Sequence, residues 1–162
     1  MITYDTTVDG SFVTGGPAYT SYSYSHTIAS QNKRGLTVFA DGFSVSGITY
    51  NGDAMTDLGI DTSADANSEF VKLSAYFLLN PDIGTHDIEI TWDTSRTSHL
   101  AGSISFYGAS QTNQPVDAQS DFIDYDVGGA ASTSLTIDQD DCIYIGGLLT
   151  NASTAFADGE TV

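Results

Sequence analysis

The sequence predicts an all-β fold, an antiparallel β-sandwich of jelly-roll-like form. Three observations carry that expectation. Apolar side chains alternate with polar ones at a period of two along much of the chain, and no stretch keeps a period of 3.6. Turn-forming pairs and clusters punctuate the alternating runs. The chain has 162 residues, 40 % of them apolar, enough to bury one core; no repeat or linker divides it, so residues 1–162 read as a single domain. A closed barrel is the alternative architecture for the same pattern.

Taken in order, residues 2–8 form the first expected strand. In the second, Ser21, Ser23, Ser25 and Thr27 alternate with Tyr22, Tyr24, His26 and Ile28. Strands follow at 35–41 and 44–50, the latter ending at Asn51-Gly52, a pair that accepts the positive φ of a two-residue hairpin turn. Residues 56–68 read as a long loop. In residues 69–79, Val71, Leu73, Ala75, Phe77 and Leu79 line one face, and the other, with Phe70, Lys72, Ser74, Tyr76 and Leu78, is apolar enough to be partly covered too. Asn80-Pro81-Asp82-Ile83-Gly84 then forms a tight reverse turn. The cleanest strand is 86–92, where His86, Ile88, Ile90 and Trp92 face inward and Asp87, Glu89 and Thr91 face outward. Leu100, Gly102, Ile104 and Phe106 alternate with Ala101, Ser103, Ser105 and Tyr107. Residues 108–130 read as a second long loop, with further strands at 132–137 and 142–149.

Charge narrows the partners. There are 21 acidic residues, eighteen of them Asp, against 4 Lys+Arg, a formal net of −17. Such a surface repels phosphate backbones and anionic headgroups, so neither nucleic acid nor a membrane surface is an expected partner. A single Cys, Cys142, excludes an internal disulfide; it sits beside Ile143 and Ile145 and reads as a packed, inert thiol. The N-terminus has no secretory leader pattern, and no apolar run nears the ~18 residues that span a bilayer. Ser and Thr nonetheless make up about a quarter of the chain, a composition like that of exposed extracellular β proteins. A chain made without a leader and built for the outside is the description of a virion component; a mature chain whose leader has been removed fits as well.

Several segments carry a resemblance. They are Ser25-His26-Thr27, Gly35-Leu36-Thr37-Val38, the run Thr49-Tyr50-Asn51-Gly52 with Met55-Thr56, and Leu78 with Asn80-Pro81 and Gly84-Thr85, followed by the strand to Trp92. Over about residues 20–115 they resemble a loosely defined group of mostly uncharacterised β-sandwich proteins found in phage genomes and environmental sequence, whose members of known context are usually virion-associated or appendage proteins. The resemblance implies a scaffold and transfers no active-site residue. Members of that group continue with another hairpin beyond the point where this chain stops at Val162, so a C-terminal hairpin is expected to be missing.

No catalytic constellation stands out. The acids are too numerous for one glycosidase-like pair to be singled out. His26, His86 and His99 lack metal-ligand spacing. Gly42-Phe43-Ser44-Val45-Ser46-Gly47 does not have the spacing of a nucleophile elbow. The Asp clusters are either solvated surface or oxygen ligands for calcium; if one holds calcium, the loop with Asp121, Asp124 and Asp126 is the choice. Tyr22 and Tyr24, on one strand face, are the candidates for a protein interface or for stacking on a sugar ring. The expected function is therefore non-enzymatic: a repeated structural subunit of a virion, as capsid decoration, tail fibre or other appendage, working through self-assembly and contacts with other virion proteins. The alternatives are a carbohydrate-binding module for a surface glycan and a subunit of a non-viral extracellular filament. No cofactor other than that calcium is expected.

Overall fold

In the computed structural model, residues 1–13, 16–41, 45–59 and 73–111 are described, and they are all-β. Nine strands follow in order: β1 (Thr3–Val13), β2 (Tyr19–Ile28), β3 (Arg34–Asp41), β4 (Val45–Tyr50), β5 (Asp53–Ala54), β6 (Thr56–Asp57), β7 (Leu73–Leu79), β8 (Gly84–Arg96) and β9 (His99–Tyr107). They form two antiparallel sheets. The first has the order β1-β9-β3-β7-β6 and the second β2-β8-β4-β5. One hydrophobic core takes residues from both sheets, among them Leu36, Val38 and Tyr76 from the first and Ile48, Ile88 and Trp92 from the second. The fold is a β-sandwich.

The turns follow from the sequence. Tyr50 pairs with Asp53 across Asn51-Gly52, both at positive φ (51° and 86°), the geometry that matches the twist of a hairpin. Asn80 (φ 49°) and Gly84 (φ 109°) bound the next turn. Arg34 clamps it: Nε donates to the Pro81 carbonyl (2.8 Å), Nη2 to Asn80 Oδ1 (2.8 Å) and Nη1 to the Gln31 carbonyl (2.6 Å). Strand pairing also extends beyond the apolar pattern. β8 continues to Arg96 through Asp93-Thr94-Ser95, where its backbone still pairs as far as Tyr19, and Thr56 and Asp57 open the expected loop by pairing with Phe77 and Tyr76. The strands expected at 132–137 and 142–149 lie outside the described residues.

The first sheet is buried on both faces. Leu36, Val38 and Ala40 of β3 point to the second sheet, while Phe39 points the other way and packs with Ala75 and Ile104. Phe77 and Phe106 stack beside them, their ring centroids 5.9 Å apart. Phe106 lies opposite Gly35, whose missing side chain makes room for the ring; a Cβ there would sit 2.6 Å from Phe106 Cε2. This arrangement inverts β9 relative to its hydropathy. Its small polar residues Ser103 and Ser105 face the inter-sheet core and are buried, while Ile104 and Phe106 face away. Small side chains fit there because β2 opposes them with large ones. The second sheet has the simpler amphipathic form, with an outer face of Ser23, Ser25, Thr27, Thr85, Asp87, Glu89 and Thr91, all exposed.

Candidate functional site

Two regions concentrate polar chemistry. The first is the inner seam between β2 and β9. Tyr22, Tyr24, His26 and Ile28 are in phase on β2, so all four point inward. His26 is fully buried, and its Nδ1 shares a 2.8 Å hydrogen bond with Ser103 Oγ of β9. At the other end, the Tyr19 hydroxyl of β2 bonds Nδ1 of His99 of β9. Two polar links thus join the sheets across this side of the sandwich. Asp5 of β1 adds a third contact, accepting from Ser105 Oγ (3.0 Å) and the Ala29 amide (3.1 Å).

His99 stands in an aromatic enclosure: Tyr22 (centroids 3.8 Å apart), Tyr19 (5.3 Å, edge-on) and Trp92 (5.7 Å). In both imidazoles Nε2 is buried with no hydrogen-bond partner. A bare lone pair is tolerated there better than an unpaired N–H, so the Nδ1–H tautomer is the favoured one for each ring. Burial lowers the pKa of His26 from 6.5 to about 4, against the pull of Asp5, and lowers that of His99 to about 4, with Arg96 acting in the same sense. Burial likewise raises the Tyr24 phenol above its usual range. Tyr50, buried near Asp82, is pushed up to about 12 and donates to the Gly84 carbonyl (3.1 Å). With His26 and His99 sealed at 0 % and 1 % exposure, neither ring meets solvent, as a general base must to reach a substrate.

The second region is a shallow polar groove of about 410 Å³ on the outer face of the second sheet, lined by Ser23, Thr49, Asn51, His86, Asp87 and Glu89 with neighbouring backbone. Ser25 Oγ donates to Asp87 (2.7 Å), Asn51 Nδ2 donates to Asp82 (2.8 Å), and the hydroxyls of Thr27 and Thr85 bond each other (2.7 Å). Its groups suit hydrogen bonding to a hydroxylated ligand, and no Tyr or Trp ring lines it among the described residues.

Tyr22 and Tyr24 are half-buried, packed against the core and stacked on each other at 6.2 Å. Being in phase with His26 and Ile28, both rings turn inward. Asp121, Asp124 and Asp126, and Cys142, lie outside the described residues. Among the described residues, no group of three or more His, Cys, Asp or Glu is placed to hold a metal ion. Trp92 is a core residue, and His86 sits at the edge of the core with Nε2 3.1 Å from the Ile83 carbonyl and its ring edge-on to Tyr50. The links through His26 and His99 escape sequence reading, because the alternation of β9 does not say which of its faces is inward. The signal for His26 was present, an imidazole in phase with Ile28.

No known protein family, curated protein or solved structure matches this chain.

Proposed function

We propose that the protein is a non-enzymatic structural subunit that acts by assembly, in a virion or one of its appendages. The observation that supports this most is the strand pairing. β1 pairs with β9, β2 with β8, β3 with β7 and β4 with β5, the nested pairs of one long ribbon; β3–β9 and β4–β8 are then the contacts made when that ribbon wraps on itself. We read this order as a jelly roll, the wrap used by many viral capsid domains and also by lectins, so the link to a virion is an analogy of fold. The described residues add a buried core of aliphatic and aromatic side chains and a solvated outer face of hydroxyls with Asp87 and Glu89. Electron microscopy of the native material, with copy number from quantitative peptide mass spectrometry, tests the proposal. A many-copy capsid or appendage component is the expected result. A chain absent from particles refutes it, and a filament without capsid or nucleic acid favours the filament alternative.

The polar groove is the specific observation behind a second reading, glycan recognition. A glycan array probed with and without chelator separates the two, because a pure assembly subunit gives no signal in either arm.

A further inference from the structure

The sandwich has four edges among the described residues, and three are protected against adding another strand. β5 and β6 have 2 residues each, too short to template a partner. β1 is interrupted by register shifts between Tyr4 and Thr6 and between Gly10 and Val13, and it carries Asp5 and Asp9. β2 is less protected, its one register shift lying at its start, between Tyr19 and Ser21. It is 10 residues long, contains no Pro and no Lys, Arg, Asp or Glu, and pairs with β8 without a register shift from Ser21 to Ile28. β1 approaches at the far end, where the Ala29 amide reaches Asp5. Long, regular, uncharged edges are the ones that natural sheets avoid leaving open.

We propose that the β2 edge, over residues 23–27, pairs antiparallel with the same edge of a second copy of this chain, joining the two four-stranded sheets into one. The charge argues for a second copy at this place. In a molecule of net −17, close approach of two copies brings carboxylates together over most surfaces, but β2 offers a seam of serine, threonine and tyrosine. The nearest outer-face carboxylates, Asp87 and Glu89, stand one strand further in, on β8. Across a β2–β2 junction the two β8 strands are three strand spacings apart, about 14 Å, beyond the Debye length of about 8 Å at physiological salt. A two-fold axis through Tyr24 or Ser25 also preserves sidedness: hydroxyls meet hydroxyls on the outer face, and the half-buried Tyr24 ring gains cover on the inner one.

This inference rests on the assembly reading and names the contact for it. Sedimentation velocity and light scattering of the full chain, from about 1 to about 300 µM, test it, since a one-strand junction is smaller than a standard interface and therefore weak. The expected result is a reversible dimer of twice 17.1 kDa. Ser23→Asp combined with Ser25→Asp, both at exposed positions, places like charges opposite one another. Dimerisation should weaken about tenfold and recover in about 1 M NaCl, whereas Thr56→Asp on a protected edge should change nothing. Hydrogen exchange on the unmodified chain keeps the test valid if the double variant fails to fold: the edge-facing amides within 23–27, about every second one, should gain protection as concentration rises. A monomer throughout the range, or a dimer with no added protection at 23–27, overturns the proposal. If such a monomer is still found as a many-copy particle component, the assembly reading survives and this contact falls; a β2-linked dimer absent from particles gives the reverse.

Discussion

Acid should loosen the β2–β9 seam before the carboxylates titrate. His26 and His99 are both neutral in the folded chain at pH 7, their pKa values held down from 6.5 to about 4 by burial. The unfolded chain takes up a proton at each ring below about pH 6.5, and the folded chain does so only near 4. Stability is therefore complete above about pH 6.5, falls as the pH drops towards 4, and levels off below that. Each displacement corresponds to about 3 kcal/mol, so the pair accounts for about 6 kcal/mol, comparable with the ~5–15 kcal/mol that holds a small domain folded. The opposing effect is relief of repulsion in a molecule of net −17, but it requires protonated carboxylates, and Asp ordinarily takes its proton near pH 3.9. The interval from about pH 6.5 to about 5 thus isolates the imidazoles, because fewer than about one ordinary Asp in ten is protonated there. Urea unfolding at half-unit steps across it should give a slope approaching ~2.7 kcal/mol per pH unit, the value for two protons. His26→Gln keeps a hydrogen-bonding group beside Ser103 and removes one titration, so the slope should halve. Stability that stays flat from about pH 7 to about 5, or a slope unchanged in His26→Gln, refutes the reasoning.

Three other outcomes follow from the packing. Gly35→Ala drives a methyl group to within 2.6 Å of Phe106 Cε2 and should destabilise by about 1–3 kcal/mol, read as a lower Tm. Arg34→Lys loses the fork that serves Pro81, Asn80 and Gln31 together; a loss of about 2 kcal/mol in urea, with the β3–β7 amides exchanging faster, is expected. Tyr50→Phe removes the donor to the Gly84 carbonyl and should lower stability by about 1 kcal/mol by calorimetry, with the hairpin turn retained.

The pattern of alternation carries the sandwich, the hairpin at Asn51-Gly52 and the inward face of β8, because each is a local property of a strand with one wet side. Alternation fails for β7 and β9, and for the same reason in both. Leu73, Ala75 and Phe77 look like the core face of β7, yet Ser74 and Tyr76 are the residues turned towards the second sheet. When both faces of a sheet are covered, hydropathy no longer identifies the inner one, and the choice is made by shape across the gap. Ser103 fits because His26 is opposite, a fact of tertiary pairing between residues 77 apart in the chain. The seam is illegible for that reason, and the inward turn of Tyr22 and Tyr24 follows from it.

The placement of charge also explains why one edge is left neutral. The carboxylates of Asp87 and Glu89 lie two residues apart on one face of β8, about 7 Å from each other, close enough to repel at physiological salt. β8 is an interior strand with a neighbour on each side, so hydroxyls can be supplied from both: Ser25 faces Asp87 and donates to it, and Ser23 and Thr49 flank Glu89. Moving those carboxylates onto β2 would protect the edge but would leave them with hydroxyl neighbours on one side only. Neutral β2 residues are therefore what keeps an acidic β8 tolerable within its sheet, and the uncharged edge is the physical consequence of that arrangement.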